Sequence, residues 1–448
     1  MIKKTGTTKK VELKLQTVKG MHDLIGDEYY LYQGLIEKAS ETAIYYGFRP
    51  IETPILEHED LFRSGLGLST DIVEKELYTL RTKGGDRLAL RPEYTAPIMR
   101  AYFEHGLQSE PQPVMLYASG PLFRHDNPQR GRSREFRQFD LEVIGAGKSI
   151  ADAIVIRLVL IILKEAGLTN TVLEINSIGD NDCRPIFRRE LSNYYRKHSR
   201  DICDDCRERL KFNPLRLLDC KNPKCQELKK AAPNAISYLC SACKQHFKEV
   251  LEYLEAMSIT YTINNNLVRG LDYYTRTVFE VSSFTPPSEP SEAELATGSE
   301  MPPTAGFALA GGGRYDYLAR ALGIKKPVSG VGVAIGLDRV IQSPNFSRLT
   351  PRVLKKAKVF FIQLGLEAKM HSLQVIEILR QARIPIAHSL SKDSLSAQLA
   401  IAEKMKIPYT LILGQKEVID GTVIVRDMNT RSQSVVKMEA LAEYLKAC

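Results

Sequence analysis

Alternating apolar and polar positions predict a strand, loop, strand hairpin over Gly120 to Gly145, GPLFRHDNPQRGRSREFRQFDLEVIG. Successive side chains of a strand point to opposite faces, so Phe123 and Arg124 face apart, and on the return strand Phe136, Gln138, Asp140 and Glu142 share one surface. The same alternation in Arg87 to Leu90 predicts a strand that delivers Arg91 and Glu93 to its end, with a helix following from Tyr94. Thr171 to Ile178 reads as a further strand. Lys19 to Glu28 reads as a loop leading into a helix that runs to about Tyr46 and is stopped by Gly47. The stretch GFRPIETPILEHEDLF reads as extended, because Pro50 and Pro54 each disfavour helix at the preceding residue. Ala151 to Leu163 is the most apolar run; it is interrupted by Asp152 and Arg157 and too short to span a bilayer, which predicts a buried helix.

Further along, the character of the chain changes. Asp182 to Met257 is charged, helical in period and holds every Cys except Cys448, which marks an insertion, and strand pattern resumes at Tyr261. The domains expected are a flexible basic tail over 1–18, a catalytic domain from 19–181 and 258–342 interrupted by a helical Cys-rich insertion at 182–257, a linker at 343–357 and a compact α/β domain at 358–448. Within the last, strands KVFFIQL, YTLIL and TVIVRD alternate with helices. Thr285 to Thr304 is rich in Pro, Ser and Glu with no apolar period and is expected to be a mobile loop.

Composition narrows the function classes. A chain of 448 residues exceeds one comfortable core. A net charge of +9 points to a polyanion partner, although a spread excess of Lys would give the same sum. The basic N-terminus lacks the apolar run of a secretory signal. Eight Cys without such a signal argue for reduced thiols in a cytoplasm, and hence for metal binding as an alternative to core packing.

The hairpin loop carries Arg130, Arg132 and Arg134 around Gly131, and Arg is the side chain best shaped for bidentate phosphate contact. That leaves two readings open, a solvated basic hairpin or a nucleotide site beside RNA. Here the residues resemble the second signature of class II aminoacyl-tRNA synthetases, in the form found in histidyl-tRNA synthetases. LVRGLDYYTRTVFEV (Leu267 to Val281) and GGGRYD (Gly311 to Asp316) are similar to the two histidine-specific segments of that family. RPEYTAP (Arg91 to Pro97) and GVGVAIGLDR (Gly330 to Arg339) extend the resemblance, which runs from about Lys19 to the C-terminus.

The resemblance implies an α+β catalytic domain on a mostly antiparallel sheet, a C-terminal anticodon-binding domain, and a cytoplasmic homodimer whose interface uses the Pro-interrupted segment after Gly47. It implies a ligase that activates L-histidine with ATP and Mg2+ and esterifies tRNA(His). Arg124 is then the contact to the α-phosphate and carboxylate, Arg269 the cation beside the α-phosphate, and Arg339 the contact to the γ-phosphate. Phe136 would stack on adenine, with Asp126 also at the ATP site. Glu142 and Tyr274 resemble the imidazole partners. Glu93, Thr95 and Gln138 resemble the binders of the α-amino group, with Tyr273 and Tyr315 lining the pocket; core tyrosines are the alternative for Tyr273 and Tyr274. Gln129, Arg130, Arg132 and Arg134 would face the tRNA acceptor end. The run Gly311 to Gly313 is read as a turn before a helix, and Gly332, Ala334 and Gly336 as a floor beneath adenine or as ordinary close packing.

The cysteines fall into pairs: Cys203 with Cys206, Cys220 with Cys225, Cys240 with Cys243. Two CxxC pairs can hold tetrahedral Zn2+. The set expected is Cys203, Cys206, Cys240 and Cys243, with Cys220 and Cys225 as substitutes or buried thiols and Cys183 apart. A competing function, from a binding class, is that of a regulatory paralogue of ATP phosphoribosyltransferase, which senses histidine and typically lacks the anticodon domain. A synthetase of the same class for another amino acid is the third reading.

Overall fold

The computed structural model describes residues 15–67, 70–129, 131–284 and 305–447. The first part of the basic tail, Arg130 and the segment 285–304 lie outside the described residues. The chain divides into two units, Met1–Pro351 and Arg352–Cys448.

The strands in chain order are β1 (Arg49–Pro50), β2 (Leu56–His58), β3 (Thr79–Arg81), β4 (Arg87–Leu90), β5 (Val114–Phe123), β6 (Glu135–Ile144), β7 (Thr171–Ser177), β8 (Thr262–Ile263), β9 (Thr275–Phe284), β10 (Ala305–Arg314) and β11 (Gly330–Gly336) in the first unit. The second unit holds β12 (Val359–Gln363), β13 (Ile386–His388), β14 (Tyr409–Leu413), β15 (Thr422–Asp427) and β16 (Gln433–Lys437).

Eight strands of the first unit form one sheet in the order β1-β5-β6-β11-β10-β9-β7-β8. Only the two edge pairings, β1 with β5 and β7 with β8, are parallel; the six central strands are antiparallel to one another. One face is apolar: Phe139, Leu141, Val143, Val331, Val333, Ile335, Phe279 and Val281 pack under the helices Asp27–Tyr45 and Ile150–Glu165, with Leu35, Ala39, Val155 and Val159 fully buried. The alternation read from the sequence therefore puts Phe139, Leu141 and Val143 of β6 into this core and turns Gln138, Asp140 and Glu142 to the opposite face. A second core, built on Phe62, Tyr94, Met99, Tyr102, Leu116 and Leu318, lies on that other side and carries the helix Thr95–Glu104.

Two local expectations are corrected. The stretch after Pro54 is extended only through β2, and Glu59–Leu66 is a helix, with Phe62 and Leu66 buried on one side. Gly311, Gly312 and Gly313 are not a turn before a helix. They lie inside β10, paired with Ala334, Val333 and Gly332 of β11 and with Glu280, Phe279 and Val278 of β9. Close approach is the reason for the glycines: a Cβ on Gly312 would stand 2.2 Å from the carbonyl oxygen of Gly332, and one on Gly311 would meet the Arg269 guanidinium at 2.3 Å.

Residues 182–257 are mainly helical and hold a small core of Phe187, Leu191, Tyr195, Ile202, Leu217 and Leu218. The last of these helices, Ser241–Ala256, sinks Phe247, Val250 and Leu254 into the main core. In the second unit the order is β13-β12-β14-β15-β16, parallel across the first three and antiparallel beyond, around Val359, Phe361, Val375, Leu379 and Leu411. β16 completes the sheet as a short edge strand beside β15, with only Val436 buried. Among the described residues no helix is long and apolar enough to cross a membrane.

Candidate active site

The face of β6 away from the helices presents Phe136, Gln138, Asp140 and Glu142, and its neighbours make room for them. Gln138 lies between Gly120 and Gly336, Asp140 between Ala118 and Ala334, and Glu142 between Leu116 and Gly332. A Cβ on Gly332 would sit 1.8 Å from Oε2 of Glu142, so the glycine is what admits the carboxylate.

Glu142 is buried and doubly bonded: Thr95 Oγ1 donates to Oε1 at 2.7 Å and the Tyr315 hydroxyl to Oε2 at 2.5 Å. Burial nonetheless pushes its pKa up to about 8, against the lowering effect of those two hydrogen bonds. Glu93 sits at the start of the helix Thr95–Glu104 and accepts from the backbone N–H of Thr95 at 2.8 Å and of Ala96 at 2.9 Å, with the Tyr273 hydroxyl at 3.4 Å. Its pKa is also raised, by burial. Asp140 is raised well above the usual carboxylate range by burial and by the charges of Glu142 and Glu93, and its Oδ1 has no partner. The rings of Tyr273 and Tyr274 lie 4.7 Å apart and those of Tyr273 and Tyr315 5.9 Å apart, and all three tyrosines are buried. Gln138 Oε1 is buried without a partner. The seven residues expected to hold histidine are thus brought to one place. Asp140, which the pattern put on the same strand face, joins them as an unassigned third carboxyl.

Three arginines border this pocket. Arg124, just past β5, donates from Nε to the Pro92 carbonyl at 2.9 Å and holds its guanidinium carbon 5.1 Å from the centre of the Phe136 ring. Arg269 lies over Gly311 and pairs with Glu280 at 2.6 Å; its Nε is buried and unpartnered. β9 directs Glu280 to the same face as Gly311, because the two are register partners. Arg339, in the short helix Leu337–Ile341 after β11, donates to the carbonyls of Gly131 at 3.0 Å and Ala308 at 2.7 Å. Burial lowers the pKa of Arg339, as do the nearby charges of Arg132, Arg124 and Arg269, while Glu280 opposes them. Burial likewise lowers Arg124. Cations this close are stabilised by an anion between them.

The hairpin loop is internally tied. Asp126 accepts from Arg132 at 3.1 Å, Arg134 Nε donates to the Asp126 carbonyl at 3.2 Å, and Gln129 and Arg132 exchange two backbone hydrogen bonds. Gln129 and Arg132 are exposed, whereas Arg134 is partly covered and packs against Gly20. Arg314 plays a different part from its neighbour Tyr315. It is fully buried and ion-paired with Asp152 at 2.6 Å and Asp316 at 2.9 Å.

The cysteine set is corrected. Cys203 and Cys206 lie with Cys220 and Cys225, whereas Cys240 and Cys243 lie with Cys183 and Asp180. Spacing alone could not decide between these partners. The helix Ser241–Ala256 is anchored in the main core and carries the last CxxC with it, away from the small core of the insertion.

The mostly antiparallel catalytic sheet and the separate C-terminal unit with its own sheet are those of a class II aminoacyl-tRNA synthetase. A profile of histidyl-tRNA synthetases matches residues 20–181, and one of the anticodon binding domain matches residues 358–447. The histidine--tRNA ligase of Desulforamulus reducens is 38% identical over 429 residues, covering 96% of this chain and 98% of that protein. That of Pelotomaculum thermopropionicum is 39% identical over 428 residues, 96% of each. The crystal structure of apo S. aureus histidyl-tRNA synthetase aligns with a TM-score of 0.76 at 28% identity over 96% of this chain and all of that one (100%). A Bacillus halodurans chain described as an ATP phosphoribosyltransferase regulatory subunit/histidyl-tRNA synthetase is alike in fold, with a TM-score of 0.59 at 22% identity over 88% of this chain and 97% of its own. The chain belongs to the histidyl-tRNA synthetase family, and its reaction is that of a histidine--tRNA ligase.

Proposed function

We propose that the chain activates L-histidine with ATP to histidyl-adenylate and transfers the histidyl group to the 3′ end of tRNA(His), with the residues assigned as follows. The observation that carries the assignment is the cluster of Glu93, Asp140 and Glu142, all buried and all with raised pKa, beside Arg124, Arg269 and Arg339. A buried acidic pocket suits an α-ammonium group and imidazole N–H donors, and adjacent cations suit a triphosphate.

In this reading Glu142 and Tyr274 select the imidazole, and Glu93, Thr95 and Gln138 take the α-amino group between Tyr273 and Tyr315. Phe136 stacks on adenine beside Arg124. Arg124 and Arg269 stabilise charge at the α-phosphate and Arg339 binds the γ-phosphate, so positioning and fixed positive charge supply the rate. Asp126 borders the ATP site. Mg2+ accompanies ATP, and the carboxylate of Glu76, which feels the charges of Arg124 and Asp126, offers the hard oxygen ligand that such an ion takes. The exposed Gln129 and Arg132, with Arg130 and Arg134, meet the acceptor end of tRNA, and the unit after residue 352 meets the anticodon.

A homodimer and a cytoplasmic location belong to the same proposal. Exposed Ile55, Leu56 and Leu80 around the small β2-β4-β3 sheet support a second copy there, and the free cysteines support a reducing compartment. The match of residues 358–447 to an anticodon binding domain favours the synthetase over the regulatory paralogue. Histidine-dependent exchange between pyrophosphate and ATP tests the reading. Exchange driven by another amino acid and not by histidine would overturn it.

A further inference from the structure

Four sulfurs meet within the stretch 203–225 for a local reason. Cys203 stands at the N-cap of the helix Asp204–Phe212 and Cys206 in its first turn. Cys220 ends the 3-10 turn Pro214–Asp219, and Cys225 lies in the first turn of the helix Pro223–Lys230. The four Sγ atoms all lie within 4.8 Å of one another, and those of Cys203 and Cys220 are 3.8 Å apart. A Zn–S bond of about 2.3 Å in a tetrahedron sets neighbouring sulfurs about 3.8 Å apart. Two backbone N–H groups already point at sulfur, Cys203 N at Cys225 Sγ (3.3 Å) and Asn222 N at Cys220 Sγ (3.4 Å). Helices of 9 and 8 residues are too short to hold themselves in water, where about 12–15 residues are needed, and the core they share is small.

We propose that Cys203, Cys206, Cys220 and Cys225 bind one structural Zn2+ as a tetrathiolate centre, which braces the segment carrying Arg269, Tyr273 and Tyr274. The brace runs through the chain between Cys206 and Cys220. There Asn213 donates to Asp272 at 2.7 Å, and Arg216 bonds to Asp71 and approaches the Gly270 carbonyl at 3.5 Å. Gly270 and Asp272 sit between Arg269 and Tyr273 in sequence, so holding them positions both the cation and the pocket tyrosines. The second cluster differs. Its Asp180 is already engaged by Arg276 at 3.2 Å and by the backbone N–H of Asp182 at 3.1 Å, and its helix Ser241–Ala256 is held by the main core. One ion per chain is therefore expected, bound in the insertion.

Full-length protein purified without chelator, loaded with Zn2+ and desalted, should retain one zinc per chain by elemental analysis. Cys220→Ser should lose it and Cys240→Ser should keep it. Co2+ in place of Zn2+ should give the absorption of a tetrahedral tetrathiolate in the wild type and in Cys240→Ser. If Cys220→Ser fails to fold, mercurial titration of the wild type should release the zinc as four thiols react. Absence of bound zinc, retention by Cys220→Ser, or two equivalents shared between the clusters would overturn the proposal. The bracing role rests on the histidine-pocket assignment and is read separately: zinc removal should raise KM for histidine severalfold while KM for ATP holds. Zinc retained with an unchanged KM on its removal would refute the brace, leaving the metal count to stand alone.

Discussion

The Tyr315 hydroxyl donates a 2.5 Å hydrogen bond to Oε2 of Glu142, joining the residue that follows β10 to β6, 173 positions away, over the intervening strand β11. β11 is shaped for it. Gly332 leaves space for the carboxylate and Gly330 for the tyrosine ring, which a Cβ would meet at 2.1 Å. A carboxyl set this deep, with donors on two sides, is positioned to discriminate a ligand by its own hydrogen-bond donors.

Replacing Glu142 by Gln should weaken histidine binding by about 10- to 100-fold, the equivalent of about 1–3 kcal/mol for a buried hydrogen-bond partner lost, with ATP binding largely kept. Calorimetric titration with each ligand separates the two. The stability of the free protein should move the other way. The folded pocket holds the Glu142 proton more tightly than the unfolded chain does, because its pKa rises from 4.5 to about 8. This group's contribution is therefore greatest below the unfolded value and declines as pH climbs through the folded one. Glu142→Gln should remove that decline, so its stability relative to wild type grows between pH 5 and about pH 8 in denaturant titrations.

Gly332→Ala tests the same pocket from the opposite strand. The added methyl meets a side-chain end and not backbone, so the protein should fold, with Glu142 pushed from its place and KM for histidine raised at least tenfold, a loss of about 1.4 kcal/mol. Unchanged KM would remove the strand-pair geometry from the account of selectivity.

Arg269 lends itself to two substitutions. Arg269→Ala should lower the rate of adenylate formation by about 10²- to 10³-fold in single-turnover measurements while affecting ATP binding far less, the pattern of an interaction made mainly in the transition state. Gly311→Ala should reproduce part of that loss without touching the charge, since its methyl would displace the guanidinium from above β10. Equal loss in ATP binding and in chemistry would contradict the assigned role.

Asp152 and Arg314 form an ion pair in which both side chains are fully buried, with His246 Nε2 3.3 Å from the same carboxyl. Burial acts to raise the pKa of Asp152, but the Arg314 charge and His246 outweigh it and the net shift is downward. Its contribution to stability is therefore present above the unfolded value of 3.8 and disappears as pH falls below it. Asp152→Asn should cost about 1–3 kcal/mol at neutral pH, because the fully buried Arg314 loses one of its two carboxylate partners and keeps Asp316, and the difference from wild type should narrow in acid. Urea unfolding monitored by circular dichroism at pH 7 and near pH 3 checks both the size and the direction.

Much of the sheet and most of the pocket could be read from the chain alone. Strand alternation put Phe136, Gln138, Asp140 and Glu142 on one face, and the hairpin, the helix after Tyr94 and the buried helix at Ile150–Glu165 follow from local pattern. Local pattern carries these because each depends on neighbours two to four residues away. The pairing of Arg269 with Glu280, the placement of Gly311 to Gly313 inside a strand and the division of the cysteines did not follow from it. Each depends on which distant segment lies alongside, and CxxC spacing is the same whether its partner is Cys220 or Cys240. The amino-acid sequence determined which side chains are offered and on which face of each element they stand. Tertiary packing decided which of them meet, because the main core holds the helix Ser241–Ala256 against the sheet while the chain from Cys203 to Cys225 folds back on itself.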